Sequence, residues 1–218
     1  MSNRKKVAIN IISSAKVMAP QKLDNLDEKR LVPNMMIRRR LTRNAKVMLY
    51  LANKCAFEDK KIVYGSCYSE LQETASIAQS VLNDSQLSPT SFQNSVYNTA
   101  PSYYSLLYKD KDEIITVSSG MKTSLDTLKT AALQALVSKE KILCVCVECL
   151  NIKNIEDVNS CTTYLEAGAA VILEIADDEN GALELNKFRI DGVIESLGDL
   201  MSAVNMHENG QNKILIEL

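Results

Sequence analysis

The residues able to do chemistry here are six cysteines, one histidine and a serine-rich turn. Three of the thiols form Cys144-Val-Cys146-Val-Glu-Cys149, and thiolates are good zinc ligands. A strand through that run puts Cys144 and Cys146 on one face and Cys149 on the other. No histidine or second cysteine pair stands nearby to complete four ligands, so neither a metal nor a cofactor is expected. Cys67 is a lone thiol, read as a small buried or edge residue. Ser118, Ser119 and Ser124 cluster around Gly120-Met121 as nucleophile-like residues, and a thioester hydrolase or acyltransferase would use Ser118, Ser119 or Cys67. The Gly-x-Ser-x-Gly pattern is missing and no base accompanies them. Ser118 or Ser119 is therefore expected to cap the helix that follows. His207, within Met206-His207-Glu208-Asn209-Gly210, is read as a solvent-exposed loop residue.

Composition narrows the classes. A chain of 218 residues is long enough to bury a core as one domain. Its formal charge of -2 gives no global attraction to nucleic acid or an anionic membrane. The start, with cations before Val7–Ile12, imitates an export signal poorly, because Lys16 interrupts the apolar stretch. No segment approaches the roughly 20 apolar residues of a membrane-spanning helix. Reduced thiols in a cytoplasmic protein are the expectation.

The elements that must carry these residues read as alternating strands and helices. Residues 6 to 12 form a strand, and residues 38 to 55 form an amphipathic helix whose basic first turn, Arg38-Arg39-Arg40, opposes the helix dipole. Lys61 to Cys67 is a second strand. A helix with Leu71, Ala75, Ala78 and Leu82 on its apolar side follows. A further helix runs from about Phe92 to Tyr108, bent by Pro101. Glu113 to Val117 is a third, β-branched strand ending at Ser118-Ser119-Gly120. The broad apolar face of Leu125 to Leu136 marks a buried helix. Strands follow at Lys141 to Val147 and Ala167 to Glu174. The tail supplies a strand from Leu183 to Ile190, a helix from Glu195 to Val204 and a strand from Lys213 to Leu218. Such alternation predicts an α/β fold, a mixed sheet of about five strands flanked by helices.

The stretch LSPTSFQNSVYNTAPSYYSLLYKDKDEIITVSSGMKTSLDTL resembles the N-terminal half of β-ketoacyl synthases, a branch of the thiolase-like fold. In that family a Ser-Pro segment leads to a helix carrying Asn, a strand, and a turn bearing the nucleophilic cysteine. Ser88-Pro89, Asn98 and Tyr108 fall in register with it, and the cysteine position falls on Met121. Arg38-Arg39-Arg40-Leu41-Thr42-Arg43 is similar to the family's entry to its first helix. Gly168-Ala169-Ala170-Val171 is similar to one of its strands. The likeness spans residues 7 to 175, with residues 176–218 as a short strand-helix-strand extension packed on the same domain.

The resemblance implies a chain-length-factor-like role, nearest to the short partners of aryl polyene-type synthases. A thioether cannot hold an acyl chain as a thioester. The family's histidines belong to a C-terminal half that this sequence, ending at Leu218, does not contain, so no independent condensing activity is expected. The implied partner is a full-length β-ketoacyl synthase, or a second copy of this chain. The implied interface holds Phe92, Tyr97, Asn98, Tyr103, Tyr104, Ile115 and Val117. Arg38, Arg39 and Arg40 are implied to contact an acyl carrier protein.

Overall fold

The computed structural model describes residues 5–58, 61–153, 155–185 and 190–218. Its strands are β1 (Lys6–Ala19), β2 (Ile62–Gly65), β3 (Ile114–Val117), β4 (Ile142–Cys149), β5 (Glu166–Ile175), β6 (Leu183–Glu184) and β7 (Lys213–Glu217). All seven join one sheet in the order β3-β2-β4-β5-β1-β7-β6. The sheet is thus larger than the five strands expected, because β7 pairs with β1 and β6 pairs with β7. β2 is parallel to β3 and β4, as helical crossovers demand, whereas β4, β5, β1 and β7 run antiparallel in turn.

The helices are α1 (Glu28–Leu31), α2 (Met35–Arg40), α3 (Arg43–Lys54), α4 (Leu71–Leu82), α5 (Pro89–Asn94), α6 (Thr99–Tyr108), α7 (Thr123–Ser138), α8 (Glu156–Ser160) and α9 (Gly198–Glu208). α3 covers one face of the sheet, and α7 with α9 covers the other. β4 lies between them and is buried along its whole length. Cys144 and Cys146 pack toward α7 and α9 while Cys149 packs toward α3, as the alternation of a strand requires. Gly65 lets α7 approach β2, since a Cβ there would collide with Thr127 and Cys146. Among the described residues no helix is long and apolar enough to cross a membrane.

Four expectations need correction. β1 runs on to Ala19, well past residue 12, because its polar residues have partners: Ser14 Oγ lies 2.8 Å from His207 Nδ1, and Lys16 Nζ donates to Asn205 and Glu208. His207 therefore sits in the last turn of α9 and not in a loop. The helix expected over 38 to 55 is two helices, split at Leu41-Thr42. Thr42 caps α3 by accepting from Ala45 N. Arg38, Arg39 and Arg40 thus fall in the last turn of α2, where cations complement the dipole instead of opposing it.

The third correction concerns Pro101, which lies in the first turn of α6, where a missing N–H leaves no helical bond unmade. The break between Phe92 and Tyr108 falls at Ser95–Asn98 instead. Fourth, the apolar side of α4 is not buried. No residue of α4 is inside, Val81 and Leu82 are 63% and 82% exposed, and the helix packs on α5 to form an arm at the edge of the domain. In the tail, β6 covers only Leu183–Glu184 of the expected strand, and residues 186–189 lie outside the described residues. The expected helix from Glu195 is a 3-10 turn, Glu195–Leu197, that leads into α9.

Candidate functional site

β3 and α7 are joined by Ser118–Lys122, a turn held by its own backbone. Thr123, fully buried, is its pivot: Thr123 Oγ1 accepts from Ser119 N at 3.0 Å and donates to Gly120 O at 2.6 Å. Gly120 adopts φ +58°, a left-handed conformation that glycine reaches without strain. Neither Ser118 nor Ser119 caps α7, a correction to the expectation, because Thr123 closes the turn from inside the helix. Ser124 is buried and its Oγ accepts from Asp199 N at 3.2 Å, which ties α7 to α9. Met121 stands at the outer corner of the turn, 41% exposed.

The chain's single imidazole stands away from this turn. α9 touches the first turn of α7 through Asp199, and His207 is two turns further along α9, about 12 Å at 1.5 Å per residue. Cys67, in the loop after β2, follows Ser66, whose N donates to Val117 O at the end of β3. Burial, with a smaller effect from Glu148, pushes its pKa up to about 11. A thiol held in its neutral form is a poor nucleophile.

β3 is one edge of the sheet, hydrogen-bonded to β2 alone, and all four of its residues, including Ile115 and Val117, are half-buried. In the segment that follows α4, Phe92 is 67% and Tyr97 46% exposed. Tyr97 Oη donates to Cys67 O at 3.2 Å, so the segment after α5 is tied to the loop next to β3. Asn98 is exposed at the start of α6 and makes no side-chain capping bond.

Two of the expected interface aromatics serve this chain internally. Tyr104 is 6% exposed, its ring 6.2 Å from Phe57 and 4.6 Å from Tyr108 between centroids. Tyr103 is half-buried and donates to Arg40 O at 2.9 Å, holding α6 to the end of α2. The three arginines also divide: Arg38 donates to Val32 O and Pro33 O, whereas Arg39 and Arg40 are exposed beside Met35 and Met36.

Two arrangements were not legible from the sequence. Arg43 forks onto Glu166, with Nε to Oε1 at 2.9 Å, and Glu166 also accepts from Leu23 N. Glu148 is buried, has no salt bridge among the described residues and accepts four hydrogen bonds. Both partnerships join residues 48 or more positions apart, and only an unusual glutamate within an apolar strand, Val147-Glu148-Cys149, hinted at the second.

A mixed α/β sheet with a strand-turn-helix at its edge is the N-terminal half of a thiolase-like fold. Residues 13–213 match the family model of the beta-ketoacyl synthase N-terminal domain, and the chain belongs to that family. None of the curated proteins matches it. Among solved structures it is similar to a chain of the ketosynthase ApeO in complex with its chain length factor ApeC from Xenorhabdus doucetiae, at 21% identity and TM-score 0.65. That likeness covers 78% of this chain and 80% of the other. The ishigamide ketosynthase/chain length factor is similar at 13% identity and TM-score 0.64, over 79% of this chain and 63% of that one. The AntDE:AntF complex of a type II polyketide synthase acyl-carrier protein with its ketosynthase is similar at 12% identity and TM-score 0.56. There the match covers 79% of this chain and 64% of the other.

Proposed function

We propose that this chain is a non-condensing subunit that pairs with a full-length β-ketoacyl synthase and shapes its acyl channel, as a chain length factor does. The observation that carries the reading is Met121 at the corner between β3 and α7, where the family keeps its nucleophile. A thioether has no proton to lose and forms no stable acyl intermediate. The free edge of β3 supports pairing, because an unpaired row of N–H and C=O groups is completed by a strand from another subunit. The exposed apolar arm beside it, with Phe92 and Tyr97, suits the same contact. Arg39 and Arg40, with Met35 and Met36 alongside, suit an acidic acyl carrier protein that also offers apolar contact, while Arg38 is occupied within the chain. Co-expression with a full-length ketosynthase encoded beside this chain tests the proposal. A heterodimer whose products differ in chain length from those of the synthase alone is the expected result. A chain that forms only homodimers and leaves product length unchanged would sink it.

A further inference from the structure

Glu148 closes β4 on its way out of the sheet and is 1% exposed. Its two oxygens are used symmetrically. Oε1 accepts from Cys67 N at 2.6 Å and Ser196 Oγ at 3.0 Å, and Oε2 accepts from Tyr68 N at 3.2 Å and Ser66 Oγ at 3.0 Å. Each oxygen thus takes one backbone N–H and one hydroxyl. Ser66 Oγ in turn accepts from Ser69 N at 2.8 Å, which helps hold Ser69 at φ +53°. Glu70 follows directly, buried, accepting from Thr42 Oγ1 at 2.9 Å, and α4 begins at Leu71. From the far end of the arm Tyr97 returns to Cys67 O. Residues 66–70 are therefore the base on which both ends of the α4–α5 arm rest.

We propose that Glu148 is the positioning residue of this arm, its carboxylate holding residues 66–70 in the shape that presents Phe92 and Tyr97 to a partner subunit. The partner part of the proposal rests on the function proposed above; the hold on the loop does not. Only a carboxylate meets this donor set. An amide in its place would turn an NH2 group toward either Cys67 N or Tyr68 N, whichever way it is flipped.

Amide hydrogen exchange of the whole chain, corrected for intrinsic rates, reads this directly. In Glu148→Gln the amides of Cys67 and Tyr68 should exchange faster by on the order of tenfold at pH 8, the loss of one charged hydrogen bond, while α3 and β5 stay within about twofold. Unchanged protection in the variant, or a loss spread equally over α3 and β5, overturns the proposal. Should Glu148→Gln not fold, Ser196→Ala decides, because removing one donor to Oε1 should speed exchange of the Cys67 amide that shares that oxygen, and unchanged protection refutes the hold. If the loop behaves as expected and the chain binds no ketosynthase, the functional reading alone fails.

Discussion

Met121 stands just ahead of α7, where the free N–H groups of a helix start favour negative charge. A thiol at that corner would ionise readily; the thioether cannot. Four of the six thiols are buried, which pushes Cys55 and Cys146 up to about 12 and Cys144 and Cys149 upward as well, and the exposed Cys161 lies in a separate loop after α8. Incubation with an acyl-carrier thioester should therefore leave the intact mass unchanged, and a stoichiometric acyl adduct would end the non-condensing reading. Met121→Cys should become alkylatable at that position yet gain no condensation when assayed alone. The chain's single imidazole is engaged with Ser14 at the far end of α9, and one missing oxyanion donor is worth about 3 to 4 kcal/mol. Turnover by that variant without a partner would contradict the account.

At the scale of elements, α5 and α6 carry aromatics with opposite duties. Phe92 is outside, so Phe92→Ala should change the unfolding free energy by about 0.5 kcal/mol or less. At an interface hot spot the same truncation removes about 2 kcal/mol, a more than tenfold loss of affinity for the synthase. Tyr104→Ala should do the reverse, destabilising the fold by about 3 kcal/mol or more through lost packing against Phe57 and Tyr108. Urea denaturation and a binding titration on both variants separate the two duties. α3 contributes a different kind of fastening. Arg43→Met leaves Glu166 buried without its cation and should cost about 3 to 5 kcal/mol by the same denaturation measurement. The strands and most helices were legible because their apolar periods are local: Ile114 to Val117 reads as a strand, and Leu125 to Leu136 as a buried helix, from neighbouring residues alone. The turn bearing Met121 was legible for the same reason. What stayed hidden depends on distant partners. Ser14 and Lys16 look like the end of a strand until α9 is laid across them, and Leu82 looks like core although it is exposed. Arg43 reads as one more cation in a basic run until Glu166 arrives from β5.

The molecule as a whole buries carboxylates that ionise reluctantly, Glu148 near 7 and Glu70 near 8, both chiefly through desolvation. Their folded values exceed the unfolded ones. The resulting stabilisation is fully present below about pH 4.3 and is lost as pH rises through 7 and then 8. The melting temperature at constant ionic strength should accordingly fall between pH 6 and pH 9, and Glu70→Gln should shallow that slope. A melting temperature that rises over this interval would contradict the assignment of both groups. β1 raises a separate matter, that of time. Its neighbours are β5 and β7, so it finds its first sheet partner only when residues 166–175 appear, and its second with residues 213–217. At about 5 to 20 residues per second, synthesis leaves Val7–Ala19 without a mate for roughly ten to thirty seconds. During that interval a strand with both edges bare is open to pairing with other chains, so shielding residues 6–19 during synthesis should raise the yield of folded protein.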